Sequence, residues 1–534
     1  MALPPNVSAQ DFKSALDEFA KVVGPEWVLT SPQDLETYRD AYSPLKGEAE
    51  ELVASAGVAP DTAEEVQAIM KIANKYGIPI YPVSTGKNLG YGGSAPRYSG
   101  SVVLDLKRMN RILQIDEHAG TVLVEPGVSY FDLYKYINDR GLKLWIDTPE
   151  PGWGSLIGNA LDGGTGTSYG PYRDHFAAHC GMEVVLADGE MLRTGMDALP
   201  TQAGTWTQWR WGFGPWLDGL FRQSNMGVVT KMGFWLMPKP DAYRMGTVLL
   251  PRFADLEGLI EIKNYLEDTG NTQGHPLIVS PLVSSVGHLP GPLYFPVTAN
   301  IPELEKEAQA KGGFWACMFQ YYGSAKVIEA QWEYTKELYL KRFPDAKFVE
   351  NHAFDLPIPT EEVIAKGINP VFLSIPSLTA FDLGNRSSTY PHPASGHMWF
   401  APIIPRTGAA VLEVTRLVVE ILKEHNIETS WFSPPVTYWP KAMVFQIGVP
   451  ISDDPKKNAV LRQAFRQLIR ECAARGFGEE RTPPVFQDDV RSTYSFNDHI
   501  LLRITEKIKD VLDPKGIISA GRYGIWPQHL RKKV

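Results

Sequence analysis

Pro82-Val-Ser-Thr-Gly-Lys-Asn-Leu-Gly-Tyr-Gly-Gly93 places four glycines in its last eight residues, directly after the short apolar run Ile78 to Val83. The run reads as a strand and the remainder as a loop too rich in glycine for regular structure. Glycine permits backbone conformations in which successive N–H groups point into one concavity, so Gly86 to Gly93 can form an anion nest for a pyrophosphate. A surface Ω-loop has the same composition. The stretch is not a P-loop, because Tyr81 stands where the first glycine of GxxxxGK[ST] belongs and Asn88 follows Lys87. Nor is there a Rossmann fingerprint: no GxGxxG follows a strand, and Gly152-Trp-Gly-Ser-Leu-Ile-Gly158 has one residue too many. A dinucleotide, if bound, is held by another fold.

Upstream, Ser8 and Asp11 open a capped helix with Phe12, Leu16, Phe19 and Val23 on one face, ended by Gly24. A second helix runs from about Thr62 to Tyr76 and stops at Gly77. Downstream, strands are expected at Ser101 to Leu106, Thr121 to Val124, Leu144 to Ile146, Glu183 to Leu186 and Val228 to Met237, with a helix over Tyr130 to Arg140. From about Asp241 the pattern shifts to longer alternating strands and amphipathic helices, such as Gly408 to His425 and Lys456 to Arg475. The segment Asn497 to Arg522 reads as loop chemistry aimed at a ligand.

A chain of 534 residues with 44% hydrophobic residues is too long for one ordinary domain. Its net charge of -9 argues against a nucleic-acid surface that works by counterion release. Cys180, Cys317 and Cys472 are far apart and form no CxxC or zinc spacing. No run approaches the roughly 18 apolar residues of a spanning helix, so a soluble cytoplasmic protein without membrane contact is expected, a periplasmic one being the alternative. The 14 tryptophans cluster partly between Trp206 and Trp235, most of them core and some beside glycine and proline, as in an aromatic pocket.

His175 and His179, four apart, would share a metal only on a helix and with a third ligand, which the sequence does not supply. A packed pair is the ordinary alternative, and no metal is expected. His397 in Ser395-Gly-His-Met-Trp-Phe-Ala-Pro402 reads by itself as a core histidine.

Taken together, the glycine loop, Val124-Glu-Pro-Gly-Val128, Gly154-Ser-Leu-Ile-Gly-Asn-Ala-Leu-Asp162 and Ser224-Asn-Met-Gly-Val-Val-Thr230 resemble the FAD-binding segments of the vanillyl-alcohol oxidase and p-cresol methylhydroxylase family. The tail Asp513 to Trp526 is similar to that family's C-terminal flavin-contacting segment. The resemblance implies an α+β, two-domain flavoprotein. Residues 1–240 and the returning segment 497–534 would form the FAD-binding domain, and 241–496 a cap over the substrate. The matched positions imply FAD contacts from Pro82, Ser84, Thr85, Gly86, Lys87, Asn88 and Gly90 in the loop, and from Glu125, Pro126 and Gly127. Gly154, Ser155, Gly158, Asn159, Gly227, Val229 and Arg522 complete the set. A covalent tether, in the histidine branch, falls on His397, while Gly384 occupies the tyrosine branch's tether position.

The implied reaction is hydride removal from the benzylic or allylic carbon of a para-substituted, lignin-derived phenol or aryl alcohol through a quinone methide. Oxygen or a cytochrome would serve as acceptor, and the protein would be a homodimer. A phenol titrates near pH 10, so its anion needs help at neutral pH. Tyr91 and Arg481 match two helpers, whereas Glu480 replaces the family's second tyrosine. A carboxylate ~4 Å from a phenolate costs on the order of 4 kcal/mol at an effective dielectric of ~20. Glu480 is therefore the base that takes the phenol proton, or is held away by Arg481, or faces a non-phenolic substrate; a surface glutamate is the plain alternative. Glu150 matches an acid/base aspartate, and Tyr169 or Tyr172 can enter the pocket or pack. Two further readings keep the fold: an oxidase or dehydrogenase of a non-phenolic alcohol or hydroxy acid, and a non-catalytic flavin-binding protein.

Overall fold

The computed structural model describes residues 3–88, 90–168, 172–201, 204–280, 301–378, 396–427, 436–439 and 441–531. Tyr169 and Gly384 lie outside the described residues.

Helix Ala9–Val23 starts where Ser8 Oγ accepts the Asp11 N–H at 3.0 Å, and it buries Phe12, Ala15, Phe19 and Val23. Helix Ala63–Tyr76 repeats the logic: Thr62 Oγ1 accepts the Glu65 N–H at 3.1 Å, and Gly77 closes it in the left-handed region at φ +68°. Both pack on a four-stranded sheet in the order Val28–Leu29, Ala56–Val58, Val102–Asp105, Ile80–Val83. The last three strands run parallel. Parallel strands are covered on both faces, which explains their unbroken apolar sequence.

After the glycine loop the chain builds an antiparallel sheet in the order Ile112–Asp116, Thr121–Val124, Val228–Trp235, His179–Val185, Met191–Arg193. Helix Tyr130–Asp139, capped by Ser129, lies in the same apolar core. His179 begins a strand and is not on a helix with His175. Each binds its own carboxylate, His175 Nε2 to Asp147 Oδ2 at 3.2 Å and His179 Nε2 to Asp218 Oδ2 at 2.9 Å. Pairing with Val228–Trp235 places His179 in the sheet.

A third sheet, antiparallel throughout, has the order Leu277–Val279, Trp315–Gly323, Ala242–Leu250, Lys347–Asp355. Helices Leu256–Asp268, Ala325–Arg342, Gly408–Glu424 and Pro455–Ala474 bury Leu259, Trp332, Val414 and Phe465 in its core. Strand His397–Phe400 pairs with Ile447–Pro450 beside it. Among the described residues no helix is long and apolar enough to cross a membrane.

The reading of Asn497 to Arg522 as loop is corrected, because Phe496–Leu512 is helical. Asn497, Asp498 and His499 carry left-handed φ values of 47–55°, and the helix leaves Leu501, Ile504 and Val511 exposed, so its amphipathic stripe is blurred in the sequence. Beyond it the chain turns back. Ile80 N–H donates to Ile517 O at 2.7 Å and Ser519 N–H to Ile80 O at 2.8 Å, which seats the tail beside the strand that feeds the glycine loop. Buried Lys509 fastens this return, donating to Asp513 Oδ2, Asn225 O and Ile518 O at 2.6–2.8 Å.

Candidate active site

The strand Ile80–Val83, the glycine loop and the returning tail converge on a cavity of about 480 Å³, within the ~300–1,000 Å³ usual for small-molecule sites. Pro82, Ser84, Thr85, Gly86, Lys87 and Asn88 line it. So do Pro126, Gly154, Ser155, Gly158 and Asn159 from the neighbouring segments. Gly227, Val229, His397 and Arg522 complete this part of the wall. Gly90, Glu125 and Gly127 are not on it. The Glu125 carboxylate is taken up by Arg111, at 2.7 Å to both Nε and Nη2, and Gly127 lets its backbone pass Lys107 O where a Cβ would sit 2.5 Å away.

Gly90 acts from behind the wall. At φ +77° its carbonyl accepts the Trp399 N–H at 3.1 Å, and a Cβ there would stand 2.3 Å from Trp399 Cδ1 and 3.1 Å from His397 Cδ2. The absent side chain therefore lets strand His397–Phe400 close onto the glycine loop. His397 is buried against Tyr42 and Trp399, with ring centroids 5.2 and 4.9 Å away. Burial pulls its pKa down to about 4, leaving a neutral imidazole with a nucleophilic lone pair at neutral pH.

Tyr91 and Arg481 also face the cavity. The Arg481 guanidinium stands 4.2 Å from the centre of the Tyr91 ring, and Gln446 Nε2 donates to Tyr91 Oη at 3.4 Å. Burial raises the Tyr91 hydroxyl well above the ordinary tyrosine range; Arg481 opposes this and Glu480 reinforces it. Glu480 does not line the cavity. Its Oε1 accepts from Arg481 Nε at 2.9 Å, while Oε2 is buried and finds no hydrogen-bond partner among the described residues. Burial raises the Glu480 carboxyl and Arg481 opposes the shift. Adjacent Glu479, whose Oε1 accepts the Ala401 N–H at 3.3 Å, is pushed well above the usual carboxylate range by burial.

Glu150 also lines the cavity and accepts from Asn369 Nδ2 at 2.9 Å. Tyr172 packs edge-on against Trp235 with centroids 6.5 Å apart and is not on the wall. Several residues of the wall escaped sequence reasoning. Asp162 collects Arg522 Nη2 at 2.6 Å together with the closely approaching Asn88 Nδ2 and Tyr523 Oη, so it joins the glycine loop to the tail. Its position at the end of the Gly154 to Asp162 segment was the available signal. Gln446, Asn369 and Trp399 carried none.

The residues suit a dinucleotide with a flat ring system. Gly86 in the loop and Gly158 in the short helix Leu156–Leu161 sit where a Cβ would meet Ser94 Oγ at 2.0 Å and Ser84 Oγ at 2.3 Å, so the missing side chains let these segments approach closely. Lys87 supplies a cation to the same wall that Ile157, Val228, Leu277 and Ile518 make apolar. Among the described residues no group of three or more His, Cys, Asp or Glu could hold a metal ion.

Residues 54–195 match the family described as FAD binding domain. Across its length the chain is 31% identical over 531 residues to the 4-cresol dehydrogenase [hydroxylating] flavoprotein subunit of Pseudomonas putida, spanning 98% of this chain and 97% of that protein. Among solved structures it is similar to a 4-ethylphenol oxidase from Gulosibacter chungangensis in complex with isoeugenol. The TM-score is 0.85 and the identity 35%, over 99% of this chain and 100% of that one. It is likewise similar to p-cresol methylhydroxylase with substrate bound, with TM-score 0.84 and 29% identity, over 98% and 99%.

Proposed function

The chain belongs to the vanillyl-alcohol oxidase and p-cresol methylhydroxylase family of FAD-dependent oxidoreductases, and from that premise we infer that it oxidises para-substituted phenols at the benzylic or allylic carbon. The observation that carries this reading is Tyr91 and Arg481 on one cavity wall, with Glu480 bound behind Arg481. FAD, when bound, supplies the acceptor for the hydride, and a phenol that loses its hydroxyl proton and that hydride becomes a p-quinone methide.

The residues of the chain manage the proton. A phenol entering beside Arg481 meets a pair of zero net charge, Glu480 with Arg481. When the phenol ionises, its proton is relayed past the wall to Glu480, which lies behind Arg481, and the protonated Glu480 releases the guanidinium to the new phenolate. The buried site then begins and ends electrically neutral, which avoids the penalty of isolating one charge away from water. Burial, which raises Glu480, brings its proton affinity closer to that of the phenol. Gln446 and Tyr91 orient the hydroxyl. Glu150, steadied by Asn369, is the acid/base group at the oxidised carbon. His397, neutral and beside the glycine loop, is the tether for the flavin. Residues 1–240 and 497–534 act as the cofactor-binding unit and 241–496 as the cap, a division supported by the pairing of Ile80 with the tail. The electrons leave to oxygen or to a cytochrome.

Anaerobic mixing with 4-alkylphenols tests the reading: flavin absorbance should bleach, and no bleaching across a panel of alkyl and allyl phenols would overturn it. The Glu480–Arg481 pair also fits a second reading, a non-phenolic alcohol or hydroxy acid, because it neutralises the cation a phenolate needs. Glu480→Tyr separates the two. Faster bleaching by simple phenols supports phenol chemistry, and loss of all turnover supports the other.

A further inference from the structure

Among the described residues, two side chains of the cavity wall are hydrogen-bonded to Glu480: Arg481 at the carboxylate and Gln223 at the main chain. Gln223 Nε2 donates to Glu480 O at 3.1 Å and to Asp162 O at 3.2 Å, while its Oε1 accepts from Arg222 Nη1 at 3.2 Å. The arginine fixes which end of the amide faces Glu480, because a flipped amide would set oxygen against two carbonyls and nitrogen against a guanidinium. The backbone is held as well. Gln223 N–H donates to Leu161 O at 2.8 Å, and its φ is +47°, in the left-handed region that residues with a Cβ seldom enter. Such a conformation persists where its surroundings over-determine it, and residues of this kind cluster at functional sites. Gly163 makes the room: a Cβ there would stand 2.7 Å from Arg222 Nη2 and 3.0 Å from Gln223 Nε2.

We propose that Gln223 is a positioning residue for proton transfer, holding the main chain of Glu480 so that the carboxylate behind Arg481 receives the proton of a bound phenol. The proposal rests on the reading of Glu480 as proton acceptor and adds the group that sets where the acceptor stands. Glu480 N–H donates to Ala401 O at 3.3 Å and Glu480 O accepts from Gln223, so its main chain is gripped on both sides. Its carboxylate is left with little travel beyond the 2.9 Å bond to Arg481 Nε. The grip has a reference point. Asp162, whose carbonyl is the other acceptor of Gln223, binds Arg522 Nη2 at 2.6 Å and also Asn88 Nδ2, and so joins the glycine loop to the tail. Gln223 therefore ties the proton acceptor to the wall that the cofactor-binding segments build. Arg222 contributes charge besides orientation: burial raises the Glu480 carboxyl, and Arg481 and then Arg222 oppose the rise. When the phenol O–H breaks, the proton ends on Glu480 and no electron moves. A donor–acceptor geometry displaced by about 1 Å forfeits most of such a transfer.

Difference absorbance with 4-hydroxyacetophenone tests it. The acetyl carbon on its ring bears no hydrogen, so the ligand cannot reduce the flavin, and its phenolate absorbs at longer wavelength than its phenol. The ligand is added in saturating amount to the FAD-loaded wild type, Gln223→Met and Glu480→Gln, on the acid side of the free ligand's own titration. Wild type should show the phenolate band of bound ligand, and Gln223→Met should lower the ionised fraction about tenfold, the worth of two lost hydrogen bonds. A purely structural glutamine would cost FAD content or affinity and leave the bound ligand as ionised as in wild type; that result overturns the proposal. Should Gln223→Met hold no FAD, Gln223→Asn, which tolerates the left-handed backbone but is one methylene short of Glu480, gives the same comparison with the same two outcomes. Loss of the band in Glu480→Gln but not in the Gln223 variant refutes the positioning role alone. A wild type without the band refutes Glu480 as acceptor, and the positioning role falls with it.

Discussion

Glu480 Oε1 lies 2.9 Å from Arg481 Nε, and both side chains are about nine-tenths buried, so the cation on the cavity wall has its counterion directly behind it. Removing one member of such a pair leaves a buried charge without its counterion. Glu480→Gln should therefore lower unfolding free energy by about 3 kcal/mol, whereas changing Glu480 and Arg481 together to Gln and Met should lower it by less. Urea denaturation of the two variants checks this; a double variant no better than the single would show that the pair is not coupled. If Glu480 also receives the phenol proton, Glu480→Gln slows flavin reduction by a 4-alkylphenol roughly a hundredfold at neutral pH.

Glu479 gives a prediction with a definite sign in pH. Burial raises its carboxyl well above 4.5, so the folded state holds a proton that the unfolded state releases. Its contribution favours folding below the unfolded value and is lost as pH rises toward the raised folded value. Glu479→Gln keeps a neutral group of the same shape and should flatten this slope, making the variant more stable than wild type at neutral pH but not at pH 4. Thermal denaturation at both values decides it, and parallel profiles for the two proteins would refute the assignment.

What the sequence disclosed follows from how local each signal is. The glycine loop, the caps at Ser8 and Thr62 and the stop at Gly77 depend on neighbours within a few residues, so they could be read directly. Asp162 could not be recognised as a junction because its donors Arg522 and Tyr523 lie 360 and 361 residues away. Gln446 reaches Tyr91 across 355 residues, and Asn369 reaches Glu150 across 219. The misread helix Phe496–Leu512 hides behind three left-handed residues and an exposed apolar face. Glu480 was legible as a departure, but its position behind the wall needed the bridge that sets Glu479 against Pro402.

His397 should carry the flavin covalently. Its imidazole, lowered to about 4 by burial, is neutral at neutral pH and therefore able to act as a nucleophile. Yellow fluorescence should follow the wild-type polypeptide through a denaturing gel, while His397→Ala should release its FAD on acid precipitation. A wild-type chain that loses all its flavin under denaturation would exclude the tether.

Two glycines separate backbone strain from close approach. Gly77 and Gly90 both have positive φ, +68° and +77°, and a side chain at either suffers the left-handed penalty of about 1 kcal/mol. At Gly77 a Cβ would meet nothing within 4 Å, so Gly77→Ala should show that penalty alone and keep full FAD content. At Gly90 the added methyl would press into Trp399 at 2.3 Å, with His397 behind it at 3.1 Å. Overpacking of this kind adds roughly 1–3 kcal/mol, and because Trp399 N–H is bonded to Gly90 O, the strand cannot retreat without opening the cavity wall. Gly90→Ala should therefore lose stability two- to fourfold more than Gly77→Ala and bind less FAD, measured by denaturation and by the flavin-to-protein absorbance ratio. Equal losses at the two positions would mean that strand His397–Phe400 yields freely, and that the glycine loop does not set the position of His397.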